Sequence, residues 1–217
     1  MTDKRELQLT ADGSHTLYIA EIDEHYHSIN GAMQESRHVF INAGLKQLDK
    51  EKIRILEIGF GTGLNAFLTL LEAECEVEYF AVERYPLDAD IIRSLNYGKL
   101  ISEEKEGLFF DLHSAPWEIS EPITANFTLH KTKGDSNVCA FPDKVDLVYF
   151  DAFAPDKQPE MWNQEIFDKL YRQMQQGGIL VTYCAKGAVR RMMQKAGYSV
   201  ERIPGPPGKR EMLRAIK

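Results

Sequence analysis

The sequence predicts an α/β fold: a Rossmann-like, mostly parallel seven-stranded sheet with helices on both faces, one antiparallel strand near the C-terminus and a small N-terminal β-hairpin. Three observations predict it. From Ile53 onward, short runs of β-branched and aromatic residues alternate with helical patterns, as in βαβ units. The first run, Ile53 to Ile58, ends in glycines at every second position, Gly59, Gly61 and Gly63, before the apolar helical stretch Leu64 to Leu71. The last two apolar runs are joined by the turn Pro204-Gly205-Pro206-Pro207-Gly208, so the sheet closes on a hairpin.

With 217 residues, 43% apolar and 27% charged, the chain suits one globular unit with a real core. It divides into a hairpin and helix extension over 1–50 and a cofactor-binding domain over 51–217. Cys75, Cys139 and Cys184 are odd in number and form no Cys-x-x-Cys pair, which argues against a disulfide framework and for reduced, cytoplasmic thiols. The start, Met-Thr-Asp-Lys-Arg-Glu, leads into no long apolar segment, so neither a signal peptide nor a membrane span is expected. The net charge of −7 counts against a nucleic-acid partner, yet Lys186 to Lys217 holds nine basic residues against Glu201 and Glu211. A polyanion met by one basic end and a solvated charged face both fit that pattern.

In order, Leu7 to Ile22 alternates around Asp12-Gly13, a favoured hairpin turn. The polar and aromatic stretch from His25 to Ala32 reads as a loop, and Glu35 to Asp49 as a helix. His25 and His27 lie two apart without a third ligand at suitable spacing and read as ordinary loop histidines, so no metal is expected. The glycine turn is a strand–turn–helix cradle. Its third glycine comes one position earlier than in the dinucleotide fingerprint, which favours a nucleoside cofactor without a pyrophosphate, and Glu57, two residues before Gly59, resembles the acidic residue that S-adenosylmethionine (SAM) methyltransferases commonly carry there. A structural turn alone also fits.

Val77 to Glu83 is a second strand, and Glu83 at its end suits a ribose diol or, alternatively, an ion pair with Arg84. Pro86 to Asn96 reads as a helix. Ser102 to Gly107 is a hydrophilic connection, and Phe109, Phe110, Leu112, Ala115, Pro116 and Trp117 are core or rim. Phe127 to Lys131 is a strand delivering Gly134-Asp135, where Asp135 fits an adenine contact and a surface turn equally. Val145 to Phe150 is a buried strand delivering Asp151 toward the same crevice as Gly59 and Glu83; capping of the following turn is the other role open to it. Trp162 to Met174 reads as a helix ended by Gly177-Gly178, followed by a strand from Ile179 to Cys184. A basic helix from Gly187 to Ala196 and strands Tyr198 to Ile203 and Lys209 to Ile216 complete the outline of a class I SAM-dependent methyltransferase.

Four stretches together, Glu57 to Asn65, Asp151 to Trp162, Val189-Arg190-Arg191 and Gly208 to Leu213, resemble the tRNA 5-methylaminomethyl-2-thiouridine methyltransferase family. These are the methyltransferase half of MnmC and its stand-alone MnmD relatives. The resemblance implies SAM-dependent N-methylation of the 5-aminomethyl group of a (2-thio)uridine at the wobble position, in the tRNA anticodon region. It implies Asp151 as catalytic carboxylate and Glu57, Gly59, Gly61, Gly63, Asn65, Glu83 and Asp135 around SAM. The loop with Phe153, Pro155, Lys157 and Trp162 would shape the base pocket, while Lys186, Arg190, Arg191, Lys209 and Arg210 would hold tRNA phosphates. Two-domain members also carry a flavin-dependent oxidoreductase for which this chain has no room, so a separate enzyme supplying the amine is expected. A methyltransferase for a small amine or a protein, and a non-catalytic nucleotide-binding module, remain the other readings.

Overall fold

The computed structural model describes residues 5–217; Met1 to Lys4, the first part of the charged start, lie outside them. Strands β1 (Arg5–Leu9) and β2 (His15–Ile19) form the expected hairpin. Gly13 takes a φ of 81°, and Asp12 ties the turn by accepting from Thr10 Oγ1 at 2.8 Å and from Ser14 N at 3.0 Å. A short β3 (Glu24–His25) adds to β2, so this small sheet has three strands rather than two. The helix expected over 35–49 is instead three unlike pieces: α1 (Ala32–Ser36), a π-helical stretch Arg37–Asn42 and a 3-10 turn Leu45–Gln47. Consecutive Val39, Phe40 and Ile41 are all buried, more than one face of an α-helix offers, and the wider turn accommodates them.

There follow β4 (Lys52–Ile58), α2 (Leu64–Glu72), β5 (Glu76–Glu83), α3 (Ala89–Ser94), α4 (Tyr97–Ile101), α5 (Glu106–Ser114) and β6 (Ser120–Thr124). After these come β7 (Phe127–Lys133), β8 (Val145–Phe150), α6 (Gln164–Gln173), β9 (Met174–Thr182), α7 (Gly187–Ala196), β10 (Ser199–Pro204) and β11 (Glu211–Ile216). The main sheet runs β10-β11-β9-β8-β4-β5-β7-β6. Strand β4 is parallel to β5 and β8, β5 to β7, and β8 to β9, whereas β11 is antiparallel to β9 and β10. Seven of these strands are the expected ones. The eighth, β6, lies antiparallel on β7 at the edge, where the missing N–H of Pro122 is tolerated.

All six residues of β8 are buried. Leu147 and Tyr149 join one core with Phe40, Phe67 and Tyr79; Val148 and Phe150 join the other with Trp162, Phe167 and Val189. A strand covered on both faces reads as one apolar run, which is why it stands out in the sequence. Three boundaries move. The helix expected from Pro86 is confined to α3. The helix expected from Trp162 starts at Gln164, where the Asn163 side chain caps it by accepting from Ile166 N at 2.9 Å. Gly177 and Gly178 do not end that helix: they lie within β9, where the pairing with β8 slips and Gly177 takes a φ of 78°, as bulged residues do.

Candidate active site

Strand β4 has β5 on one side and β8 on the other. At such a switch point the loops leaving the strand ends diverge and open a crevice. Here it is a cavity of about 390 Å³, within the usual size of small-molecule sites. Its floor is fixed by the ladder, with Gly59 N donating to Val82 O and Asp151 N to Ile58 O, both at 3.0 Å.

Gly59, Gly61 and Gly63 have φ values of 92°, 50° and 72°. A Cβ would stand 2.6 Å from the Asp151 carbonyl oxygen at Gly59, 3.2 Å from the Tyr26 ring at Gly61 and 2.8 Å from His113 Nε2 at Gly63. Glycine is therefore demanded by backbone conformation and by protein neighbours, before any ligand is considered. Gly59 and Gly61 line the cavity; Gly63 is turned toward His113 and does not.

Glu83, at the end of β5, lines the cavity and closes the turn, accepting from Gly61 N at 2.9 Å and from Tyr85 N at 2.7 Å. Arg84 pairs instead with Asp135 at 3.0 Å. Asp135 is also on the wall, and the hydrogen bond from Asn137 N, at 2.9 Å, helps hold its carboxyl below the ordinary value.

Between these groups and the far end stands Asp151. Burial pushes its carboxyl up to about 7, against the opposing hydrogen bond from Asn65; Glu35 pushes the same way as burial and Lys209 the other. Asn65, in the first turn of α2, donates from Nδ2 to Asp151 Oδ2 at 2.8 Å and to Glu57 Oε1 at 2.9 Å. Glu57 is fully buried behind Asn65 and is absent from the cavity wall, contrary to the cofactor contact expected of it. Burial drives its carboxyl well above the ordinary value.

The far end is built largely from residues to which the sequence assigns no role, Phe153 and Lys209 apart. Tyr26 packs edge-on against Phe153 at 5.1 Å, and its hydroxyl accepts from Arg5 Nε at 3.1 Å. Glu35 accepts from Ser28 N at 2.8 Å and from Lys209 Nζ at 2.7 Å. The Lys209 ammonium also lies 4.0 Å from the centre of the Tyr183 ring, whose hydroxyl donates to Ala152 O at 2.8 Å. His27 shares a 2.7 Å hydrogen bond with Thr62 Oγ1; burial lowers its pKa to about 4, so the ring is neutral at physiological pH and serves to hold the glycine turn.

Of the expected base-pocket loop, Phe153 is on the wall, whereas Pro155, Lys157 and Trp162 are not. Trp162 is buried beneath, its Nε1 donating to Phe153 O at 2.7 Å, because an indole that size packs best under the loop it supports. Lys157 points away, 3.4 Å from Asp23. Lys186 is paired with Asp156. Of the five cations assigned to phosphates, Lys209 alone lines the cavity, drawn in by Glu35 and the Tyr183 ring; Arg190, Arg191 and Arg210 lie outside it. The sequence signal for Tyr26 is its polar, aromatic neighbourhood; Glu35 and Tyr183 carry none beyond their types.

The wall carries Glu24, Glu35, Glu83, Asp135 and Asp151 against Arg5, Arg84 and Lys209. An acidic balance suits a cationic ligand and disfavours a pyrophosphate. Among the described residues, no group of three or more His, Cys, Asp or Glu is placed to hold a metal ion, and no helix is long and apolar enough to cross a membrane.

A family model described as S-adenosyl-L-methionine-dependent methyltransferase matches residues 118–217. The fold is that of the class I SAM-dependent methyltransferases, and the family match supports an enzyme of the methyltransferase class. Within that class it resembles the tRNA 5-methylaminomethyl-2-thiouridine biosynthesis bifunctional protein MnmC. It is 30% identical to that protein of Marinomonas sp. (strain MWYL1) over 211 residues, covering 88% of this chain and 31% of the relative. With the Ralstonia nicotianae protein the identity is 32% over 231 residues, covering 94% and 33%. The chain thus spans about a third of the length of these curated relatives. The crystal structure of MnmC2 from Aquifex aeolicus superposes with a TM-score of 0.78 at 26% identity, covering 99% of this chain and 70% of that one.

Proposed function

We propose that the chain methylates the amine of a 5-aminomethyl-(2-thio)uridine at the wobble position of tRNA, using SAM. The observation that carries this reading is Asp151, a carboxyl pushed up to about 7 where the glycine-turn end of the cavity meets an aromatic end with Tyr26, Phe153 and Tyr183. The names of the MnmC relatives supply the acceptor.

The acidic wall fits a sulfonium nucleoside. In this reading Gly59 and Gly61 floor the cofactor, Glu83 keeps lone pairs for the ribose hydroxyls beyond its two backbone bonds, and Asp135 faces the adenine side. SAM, when bound, would supply an electrophilic methyl group, the S–CH3 bond breaking with its electron pair to sulfur so that the neutral thioether leaves. The chain must then present an unprotonated amine, since an alkylammonium has no lone pair to attack with. Asp151 Oδ1 accepts the ammonium proton: the N–H bond breaks, an O–H bond forms, and the nitrogen keeps the pair that makes the new N–C bond. A carboxyl near 7 suits that exchange at neutral pH. Tyr26, Phe153 and Tyr183 exclude water and hold the ring, so that nitrogen and methyl meet in line at about 3 Å.

The extension over 1–50 and the domain over 51–217 act as one site in this reading, because Tyr26 and Glu35 of the former complete the wall. Arg190, Arg191 and Arg210 hold tRNA phosphates outside the cavity, with Lys186 beside them. The protein works in the cytoplasm, alongside a separate enzyme that supplies the aminomethyl-uridine.

The test is transfer of labelled methyl from SAM to bulk tRNA from cells lacking the gene, followed by nucleoside analysis. Label in a 5-methylaminomethyl uridine is expected, lost with Asp151→Ala, and weaker tRNA binding with unchanged SAM binding is expected on charge reversal at Arg190 and Arg191. Label found only in small amines or proteins, or no transfer at all, would refute the tRNA reading.

A further inference from the structure

Asn65 is a cofactor contact by resemblance, but in the structure its amide nitrogen is already committed. One hydrogen goes to Asp151 Oδ2 at 2.8 Å, the other to Glu57 Oε1 at 2.9 Å. Asn65 Oδ1 and Glu57 Oε2 are both buried without a partner. Asp151 Oδ1, by contrast, makes no hydrogen bond among the described residues and is not buried, so it opens on the cavity.

We propose that Asn65 is a positioning residue for the Asp151 proton acceptor. By bridging Asp151 to a second, fully buried carboxyl, it locks Oδ2 inward and presents Oδ1 alone to the acceptor amine. This rests on the proton-acceptor role of Asp151.

The bridge is asymmetric. Two ionised carboxylates on one amide, with no water to screen them, would repel strongly, and a buried carboxyl without a cation takes up a proton instead. Glu57 has no cation beside it among the described residues and a free Oε2 for that proton. Asp151 has an opening to the cavity, the donor Asn65 and, from the β10–β11 turn, the Lys209 ammonium. The other groups facing Asp151 are Glu35 of α1, which Lys209 offsets, and Tyr183 after β9; on Glu57, burial is the largest influence, Asp151 and Glu83 push the same way, and Asn65 and the Tyr79 hydroxyl oppose it. The single negative charge of the pair therefore resides on Asp151, where the amine proton arrives, while Glu57 is the neutral anchor against which Asn65 is braced. Tyr79 and Tyr149, buried on the adjoining strands, pack the anchor in place.

The test compares Asn65→Ala and Asn65→Ser with the parent chain, using SAM and unmodified-amine tRNA, with melting curves to verify folding. With Asn65→Ala, kcat is expected to fall about a hundredfold, the loss typical of a reacting group displaced by an ångström, while SAM affinity changes by less than about threefold. Removing the donor also removes stabilisation of the ionised form, so the acid limb of the kcat/KM profile should move up by about one pH unit. Asn65→Ser, with a single short donor, should fall between, and it carries the measurement if the alanine variant melts early. Glu57→Gln, which keeps an uncharged acceptor for Asn65, should leave that acid limb where the parent has it. An unmoved limb in Asn65→Ala, or a loss of SAM affinity as large as the loss of kcat, would overturn the proposal and return Asn65 to a cofactor contact. Asp151→Asn is run beside them: if it retains activity, the proton-acceptor reading itself fails, an outcome distinct from failure of Asn65 alone.

Discussion

The two ends of the cavity are built by opposite means. At the glycine-turn end, Gly59, Glu83 and Asp151 leave the ends of three adjacent parallel strands, and the ladder that holds the sheet also fixes them, Ile58 pairing with Val82 and Phe150. At the aromatic end, Tyr26, Glu35, Tyr183 and Lys209 meet only because the N-terminal extension and the C-terminal hairpin fold against one another. Glu35 and Lys209 stand 174 residues apart and touch through one 2.7 Å ion pair. A wall made by strand ends cannot change without disturbing the sheet, whereas one made by side chains can be altered with the sheet intact. The aromatic end is thus the adjustable end.

The sharpest break in that comparison is Asp151→Asn, at the boundary between the ends. Loss of the proton acceptor should lower kcat by about 10²–10⁴, with SAM affinity little changed. The same substitution should stabilise the fold at alkaline pH. The carboxyl moves from 3.8 to about 7 on folding, so the folded chain binds that proton more tightly than the unfolded one. The group's contribution to stability is then most favourable below pH 4 and is lost as pH rises toward 7. At pH 8 the ionised carboxylate costs up to about 4 kcal/mol, which the amide relieves. A Tm gain of several degrees at pH 8 and almost none at pH 4 is expected from melting curves; equal gains at both would remove the buried charge as its cause. In the parent chain, kcat/KM should rise through about pH 7 as Asp151 ionises.

Next in size are two substitutions that ought to act on one end each. Glu83→Ala removes a carboxylate hydrogen-bonding site, an interaction of about 1.5–3 kcal/mol, so SAM affinity should drop about ten- to a hundredfold with the KM for tRNA steady. Lys209→Met keeps an apolar stem over the Tyr183 ring but removes the ammonium; the KM for tRNA should rise about tenfold, within the same range of interaction energies, and SAM affinity should hold. If either variant moves both constants together, the ends are energetically one site and the distinction falls.

The same contrast explains which parts of the site are legible in the sequence. Residues that leave strand ends are legible because the apolar runs Ile53 to Ile58, Val77 to Val82 and Val145 to Phe150 mark parallel strands, and a residue just past the carboxyl end of such a strand faces the switch point. The placement of Glu83, Asp135 and Asp151 on one cavity obeys that rule, and the terminal Pro-Gly turn marks the antiparallel β11. The aromatic end obeys no such rule. In sequence Glu35 is only part of a helix, and Lys209 is one cation in a basic tail; their meeting depends on how two chain ends dock. Glu57 misleads for a related reason: its place on the strand is legible, but whether it faces the ligand depends on Asn65, which stands between. The broken helix over 32–47 and the strand β6 escape because tertiary burial, not periodicity, sets the backbone there.

The smallest effect should come from Trp162→Phe. The indole is buried under the loop that carries Phe153 and is held there by three contacts of different kinds: the hydrogen bond from Nε1 to Phe153 O at 2.7 Å, an edge contact with Phe150 at 4.8 Å and a more distant one with Tyr183 at 6.4 Å. Phenylalanine keeps most of the apolar packing, so the chief loss is the hydrogen bond. That leaves the Phe153 carbonyl without its donor, at a cost of about 1–3 kcal/mol if it stays buried and less if the loop shifts to meet water. The two responses are separable. A carbonyl left in place lowers Tm and spares the KM for tRNA, while a shifted loop spares Tm and raises that KM, because Phe153 moves away from Tyr26. An effect on SAM affinity comparable to that on tRNA would mean that Trp162 props up the glycine-turn end as well, against the division argued from the strands.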